Sequence, residues 1–267
     1  MKWSAEAEKT MRRVPFFIRK MVRKKVEAYA ASAGAEIILN EHIEACKKQY
    51  MKQMDRDLRG YSVETCLGAQ ECSNRTLGQT NIADEIEEFL KGQKMKEFLQ
   101  ERLGRPLKVH NEFRVSISFC PNSCSRPQIV DVGLIGAVVV EPSEQDDTCN
   151  GCGACAKVCK EDAIVLDGSD VKILRERCLY CGHCERVCPK SAISRVDEGF
   201  RILVGGKLGR HPQLGMELPR IYAPEDALLV VKEVVRFFKK ECKKGERLGE
   251  IVSSMGFEAF LQQLNLP

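Results

Sequence analysis

The sequence predicts an α+β protein built from three parts, and three observations carry that prediction. Residues 1–58 show helical periodicity without any strand pattern. Short strand patterns at Tyr61–Cys66, Phe113–Phe119, Asp131–Val140 and Gly199–Val204 alternate with amphipathic helices. Between the last two of those strands lies a doubled, evenly spaced cysteine run. The expected organisation is a helical module over 1–58, a core formed by 59–143 and 197–267, and an insert over 144–196.

At 267 residues with 43% apolar content the chain is long enough for one large domain plus small modules. No apolar run approaches the roughly twenty residues of a membrane span, and the first residues lack a signal-peptide core, so a cytoplasmic protein is expected. Fourteen cysteines in such a compartment point to metal ligation rather than disulfides. Twelve fall into three groups of four; Cys46 and Cys242 are left as ordinary thiols. Residues 1–25 hold nine Lys/Arg against two Glu, so the net charge of +4 conceals a basic end. Without interleaved aromatics or a binding motif, that end does not read as a nucleic-acid site.

In the first module, Val14-Pro15-Phe16 reads as a helix start with Pro15 at the first position. Ile18, Val22, Val26, Tyr29 and Ala33 form its apolar stripe, and Gly34 its end. A second helix is expected from Glu36-Ile37-Ile38 to about Met54. Arg19, Arg23 and Lys24 make a basic face, either solvated or offering charge to an anionic pocket.

The core is expected to open with a strand, Tyr61–Cys66, followed by a tight loop at Gly68. Cys66-x5-Cys72 and Cys120-x3-Cys124 supply four thiolates as two pairs, enough for one four-iron cluster. Zinc or buried thiols are the alternative, although zinc sites favour shorter spacings. Asn81 to Glu85 opens a helix, broken near Gly92. Phe113–Phe119 alternates apolar and polar residues as a half-buried strand does, and Pro121-Asn122 turns the chain toward Cys124. Asp131–Val140 is a glycine-interrupted buried strand without the helix a dinucleotide loop requires.

Cys149-x2-Cys152-x2-Cys155-x3-Cys159 and Cys178-x2-Cys181-x2-Cys184-x3-Cys188-Pro189 repeat one motif. This is the bacterial two-cluster ferredoxin run, in which the last cysteine of each run serves the other cluster. Cys149, Cys152, Cys155 and Cys188 are therefore assigned to one [4Fe–4S] cluster, and Cys159, Cys178, Cys181 and Cys184 to a second. His183 is not needed as a ligand. After the insert come a strand, the loop Gly205-Gly206-Lys207-x-Gly209-Arg210, and a helix from Ala223 carrying Leu228, Leu229, Val231, Val235 and Phe238. Gly245 leads to a closing helix ending near Leu264.

Cys66-x5-Cys72, Cys120-Pro-Asn-x-Cys124, Asp131-x-Gly-x-x-Gly and the 205–210 loop together resemble the sirohaem-dependent sulfite and nitrite reductases, of the small dissimilatory, anaerobic kind. The resemblance implies half of such a core interrupted by a ferredoxin, three [4Fe–4S] clusters and a sirohaem, with Cys124 bridging cluster iron to sirohaem iron. It implies Arg75, Lys207 and Cys124 as catalytic residues, and Arg75, Asn122, Cys124, Gly205, Gly206, Lys207, Gly209 and Arg210 as cofactor-binding residues. The implied reaction is six-electron reduction of sulfite to sulfide, with nitrite as the alternative substrate, fed by a low-potential donor protein through the ferredoxin clusters. A bare iron–sulfur electron-transfer subunit and a non-catalytic sirohaem-binding protein are the other readings. Since the second half of such a reductase is missing, a partner subunit or a second copy is expected to complete the site. Val14-Pro15-x-Phe17-Ile18-Arg19-x-x-Val22-Arg23, continuing to Gly34, resembles a helical domain of a protochlorophyllide-reductase subunit.

Overall fold

The computed structural model describes residues 1–67, 72–78, 80–143 and 148–267, apart from the side chains of residues 52 and 54–56. Gly68 lies outside the described residues. The chain forms two compact units, Met1–Leu58 and Arg59–Pro267. No described helix is long and apolar enough to cross a membrane.

In the first unit, β1 (Lys2–Trp3) pairs in parallel with β2 (Ile37–Ile38), around α1 (Ala5–Arg12), α2 (Phe16–Ser32) and α3 (Asn40–Asp57). Ile37-Ile38 is thus a strand where a helix start was expected. Two adjacent β-branched residues resist the helix, and Ile38 is fully buried against Ala7, Met11, Val26 and Ala30. Pro15 sits one place earlier than expected, as the cap before α2. The basic face is largely engaged within the unit. Arg23 pairs with Glu8 at 2.6 Å and lies 4.3 Å over the Trp3 ring, and Arg19 donates to the Val14 and Arg12 carbonyls. Lys24 is exposed.

The second unit is organised by a five-stranded mixed sheet in the order β3-β4-β5-β8-β9. β3 (Tyr61–Thr65), β4 (Phe113–Ser118) and β5 (Val132–Pro142) run parallel; β8 (Ile193–Val204) and β9 (Met216–Tyr222) are antiparallel additions. Parallel neighbours need long crossovers. The β3–β4 crossover carries α4 (Ile82–Gly92) and α5 (Met95–Leu103). α4 lies against β3, while α8 (Pro224–Glu241) lies against β8 and β9. Phe98 and Phe113 both meet Phe238 there, at centroid distances of 5.9 and 5.1 Å. Leu229, expected inward on α8, faces out, and Val230, Val234 and Phe237 are buried in its place. The closing helix is two helices, α9 (Leu248–Met255) and α10 (Phe257–Leu261), broken at Gly256 with φ +88°.

β5 and β8 form a long antiparallel pair ending at Pro142 opposite Ile193. The residues between them leave and re-enter the sheet at that end. This excursion holds α6 (Ala154–Val158), the β6 (Ile164–Asp167)–β7 (Asp170–Ile173) hairpin, and α7 (His183–Val187). Its own small core joins Val138, Val140, Cys155, Ile164, Val171, Cys184 and Ile193.

Candidate iron–sulfur site

Cys66 and Cys120 both follow the carboxyl ends of adjacent parallel strands, where open α/β sheets place their ligands. The Cys66 N–H donates to the Ile117 carbonyl at 3.0 Å, so the two cysteine loops start level. They are joined again further out. Thr76 donates to the Phe119 carbonyl through both its N–H (2.9 Å) and its hydroxyl (2.8 Å), and the Arg75 N–H donates to the Cys72 carbonyl. Burial pushes the Cys120 thiol above its ordinary value, and the charges of Cys72, Cys124 and Cys66 push it the same way. The two cysteine pairs therefore sit on neighbouring loops. Cys120 is buried; Cys124 is exposed.

The excursion gathers the other eight. Cys149, Cys152, Cys155 and Cys188 line one cleft, together with Gly153, Ala154 and Ile193. Cys159, Cys178, Cys181 and Cys184 line a second cavity of about 140 Å³. Each lining thus combines three cysteines of one run with the last cysteine of the other. The two halves repeat one geometry. The Gly151 and Tyr180 N–H groups donate to Cys149 and Cys178 Sγ, and those of Ala163 and Ala192 donate to Cys159 and Cys188 Sγ, all at 3.2–3.5 Å. Gly151, Gly153 and Gly182 have φ near +70°, and Tyr180 holds φ +60° despite its side chain. Burial raises the Cys155 and Cys181 thiols and pushes Cys184 up to about 11.

This donor set suits iron–sulfur cubes, whose corners each take one thiolate while backbone N–H groups bond the sulfurs. Among the described residues, no three His, Cys, Asp or Glu side chains converge on the point of a single metal ion. A cube does not require that convergence, because each ligand binds a different iron. The second cavity has room for a multi-atom group. The first, at about 10 Å³, is closed to roughly a water's width.

The cavity of the second set is also lined by Asn74, Cys120, Pro121 and Asn122 of the core. Arg186, on α7 between Cys184 and Cys188, donates to the carbonyls of Ser73 (2.8 Å) and Arg75. Arg195 on β8 holds Glu185 and Glu198 and reaches the Thr76 carbonyl. Neither arginine stands out in the sequence. Their contacts to the 73–76 loop span more than 110 residues, and no local pattern announces them.

Several residues expected to hold a macrocycle or an oxyanion have other partners. Arg75 spends its fork on its own loop, donating to Leu77 and Gly78 carbonyls, and its guanidinium stacks 4.4 Å over Phe119. Lys207 is buried and pairs with Glu250 at 2.8 Å, which draws the Glu250 carboxyl below its ordinary value. Gly205 and Gly206 are buried against protein. A Cβ at Gly205 would meet Gly249 Cα at 3.1 Å, and one at Gly206 would meet the Gln128 carbonyl at 2.4 Å. Asn122, Cys124, Gly209 and Arg210 do lie at the surface, joined by Arg126, which no sequence motif marks.

The Asp131-x-Gly-x-x-Gly stretch is explained by packing. Asp131, 1% exposed, accepts from Arg247 at 2.5 Å and from the Arg114 N–H. Gly133 and Gly136 leave space for the Pro127 and Phe119 backbones, which press on β5.

Residues 59–267 match the family described as nitrite and sulphite reductase 4Fe-4S domain. The chain belongs to that family. Residues 3–47 of the same chain match the proto-chlorophyllide reductase 57 kD subunit family. The chain is 34% identical over 201 residues to a coenzyme F420-dependent sulfite reductase of Methanocaldococcus jannaschii, covering 74% of this chain and 30% of that protein. It is 27% identical over 245 residues to one subunit of the anaerobic sulfite reductase of Salmonella typhimurium, covering 87% of this chain and 67% of that one. Among solved structures, a dissimilatory sulfite reductase I aligns with 81% of this chain and 56% of its own, at 20% identity and TM-score 0.47. The chain therefore spans under a third of the first of these relatives.

Proposed function

We propose that this chain is the iron–sulfur and sirohaem-binding part of a sulfite reductase, acting in the six-electron reduction of sulfite to sulfide. The observation that carries the reading is the core quartet at the carboxyl ends of β3 and β4, with Cys120 buried and Cys124 exposed. Family membership supports a 4Fe-4S centre in this domain. Cys66, Cys72, Cys120 and Cys124 would hold it. The excursion over 144–196 would act as an inserted ferredoxin, with Cys149, Cys152, Cys155 and Cys188 holding one cluster and Cys159, Cys178, Cys181 and Cys184 the other. When bound, iron–sulfur cubes supply one-electron transfer and sirohaem supplies the iron at which the oxyanion is reduced.

The chain's own residues set the conditions for that chemistry. The N–H donors to Cys149, Cys159, Cys178 and Cys188 tune the sulfurs. Arg186 and Arg195 tie the second quartet to the loop after Cys72. Cys124, Asn122, Gly209 and Arg210 are each exposed and would be the chain's contributors to a tetrapyrrole site, with Arg210 suited to its carboxylates. Because Arg75 and Lys207 are engaged within the chain, the charge that receives the oxyanion is to come from elsewhere: a partner subunit or a second copy. A low-potential donor protein is the expected source of electrons.

A second reading follows from those same engaged residues. With Gly205, Gly206, Lys207 and Arg75 all partnered inside the protein, the chain would serve as a three-cluster electron-transfer subunit without a tetrapyrrole.

Oxygen-free purification decides between them. About twelve irons in clusters plus one sirohaem iron per chain, with the macrocycle's absorption bands, is the expected result. About twelve irons and no macrocycle supports the second reading; about eight refutes the core cluster under either. Cys124→Ser should then abolish turnover of sulfite with a reduced viologen while leaving the two excursion clusters in place. Nitrite run alongside settles which oxyanion is preferred.

A further inference from the structure

The strand β4 does not have the polar, solvent-facing side that its alternation suggests. Ser116 is 0% exposed and Ser118 is 1% exposed, and Ser125 in the following loop is also buried. Hydroxyls buried in this way cost free energy unless each is hydrogen-bonded. All three are. Ser116 donates to the Ser125 carbonyl at 2.7 Å, and Ser125 donates to the Ile117 carbonyl at 2.9 Å. The Ser118 and Ser125 hydroxyls lie 2.7 Å apart, and the Ser125 N–H donates to Ser118 Oγ at 3.2 Å. Every polar group of Ser125 is bound to β4.

What the network holds is a loop in an unfavourable backbone conformation. Ser123 and Arg126, neither of them glycine, have φ +53° and +58° on either side of Cys124 and Ser125. Such residues persist only where surrounding contacts over-determine them, and they gather at functional sites. An apolar trio of similar size would fill this part of the core without any need for matched donors. Hydroxyls add directionality that apolar packing lacks. Their product here is an asymmetric cysteine pair, with Cys120 8% exposed on the inner side and Cys124 exposed on the outer.

We propose that Ser116, Ser118 and Ser125 are positioning residues for Cys124, their buried hydroxyls locking the 119–126 loop so that this thiol faces outward. The inference rests on the reading that Cys66, Cys72, Cys120 and Cys124 hold a cluster. Groups that orient metal ligands from behind typically change metal affinity by on the order of 10–100-fold.

The test uses the full chain purified without oxygen. Ser118→Ala and Ser125→Ala are compared with wild type and with the hydroxyl-keeping Ser118→Thr. Three readouts are taken: EPR-monitored redox titration of the core cluster, the rate of iron loss to a chelator, and the thermal midpoint. The alanine variants should shift the core potential, alter its EPR line shape, and release the core iron about tenfold faster. The signals of the two excursion clusters should stay put, and Ser118→Thr should restore the core values. If alanine at 118 or 125 prevents folding, Ser116→Ala, which removes a single hydrogen bond, takes their place with the same expectation in smaller degree. A lowered thermal midpoint with unchanged core potential and line shape would make the serines mere packing and overturn the inference. Absence of any core signal in the wild-type protein would instead sink the cluster reading, and this inference with it.

Discussion

A single methyl group at Gly136 tests how the two cysteine loops are held together. An ideal Cβ there would lie 2.6 Å from the Phe119 carbonyl oxygen, 2.7 Å from its carbon and 2.7 Å from Thr76 Oγ1. None of these is the free end of a flexible side chain; two are backbone, and the third is a hydroxyl bonded to that same carbonyl. Overpacking a rigid interior costs about 1–3 kcal/mol. If Thr76 swings aside, its buried hydroxyl loses the Phe119 carbonyl as acceptor, adding about 1–3 kcal/mol. Gly136→Ala should therefore destabilise the second unit by ~2–6 kcal/mol, a large share of the 5–15 kcal/mol typical of a native protein. Because Phe119 precedes Cys120 and Thr76 lies four residues after Cys72, the same change should lower core iron selectively. Thermal unfolding and iron per chain measure both effects. Gly92→Ala is the control, since a Cβ there meets nothing within 4 Å; it should be neutral or stabilising by up to about 1 kcal/mol. Equal unfolding midpoints and equal iron for the two alanine variants would refute the reasoning.

Asp131→Ala leaves Arg247 and the Arg114 N–H without their buried partner, and should cost about 3–5 kcal/mol in a denaturant titration. Lys207→Met should remove part of the protein's acid sensitivity. The Lys207 hydrogen bond lowers the Glu250 carboxyl in the folded state, so its contribution is present above the ordinary carboxylate range and is lost as pH falls through the lowered value. Unfolding midpoints recorded from pH 7 downward should fall less steeply in the variant; parallel curves would count against the pair. Arg186→Ala frees the Ser73 and Arg75 carbonyls, and should weaken the magnetic coupling between core and excursion clusters without lowering iron content. Unaltered EPR spectra of the fully reduced protein would rule that out.

The sequence exposed four strands of the five-stranded sheet and the cysteine spacing because both are local patterns, while β9 went unread. Tyr61–Thr65 and the α8 start at Pro224 lie where turn residues and periodicity put them. The basic residues were harder to read. Arg75 and Lys207 sit in plausible motif positions, yet whether a cation faces a ligand or a neighbouring group depends on Glu250, 43 residues from Lys207, and on how the loop after Arg75 folds. The serines misled for a related reason. Alternation reports which residues share a face, not whether that face meets water, and the face of Ser116 and Ser118 meets the Ser125 loop. Gly205 and Gly206 illustrate a third limit: glycine signals close approach without naming the approaching atoms, and Gly249 and Gln128 are among them.

Exposure divides the three quartets in a way that bears on their order. Cys152 is exposed in the first excursion set and Cys124 in the core set, whereas none of Cys159, Cys178, Cys181 and Cys184 is exposed. The set without an exposed thiol is also the one whose cavity wall includes Cys120, Pro121 and Asn122. Its helix α7 supplies Arg186, whose two donors end on the loop after Cys72. On the proposed function, a series of three centres needs an outer end that a donor protein can approach, a shielded middle, and an inner end that meets the reacting partner. The first excursion set, the second, and the core quartet meet those three demands in turn. A donor docking beside Cys124 instead would compete with the tetrapyrrole for the same exposed thiol, so entry at the Cys152 end is the arrangement under which both can be bound at once.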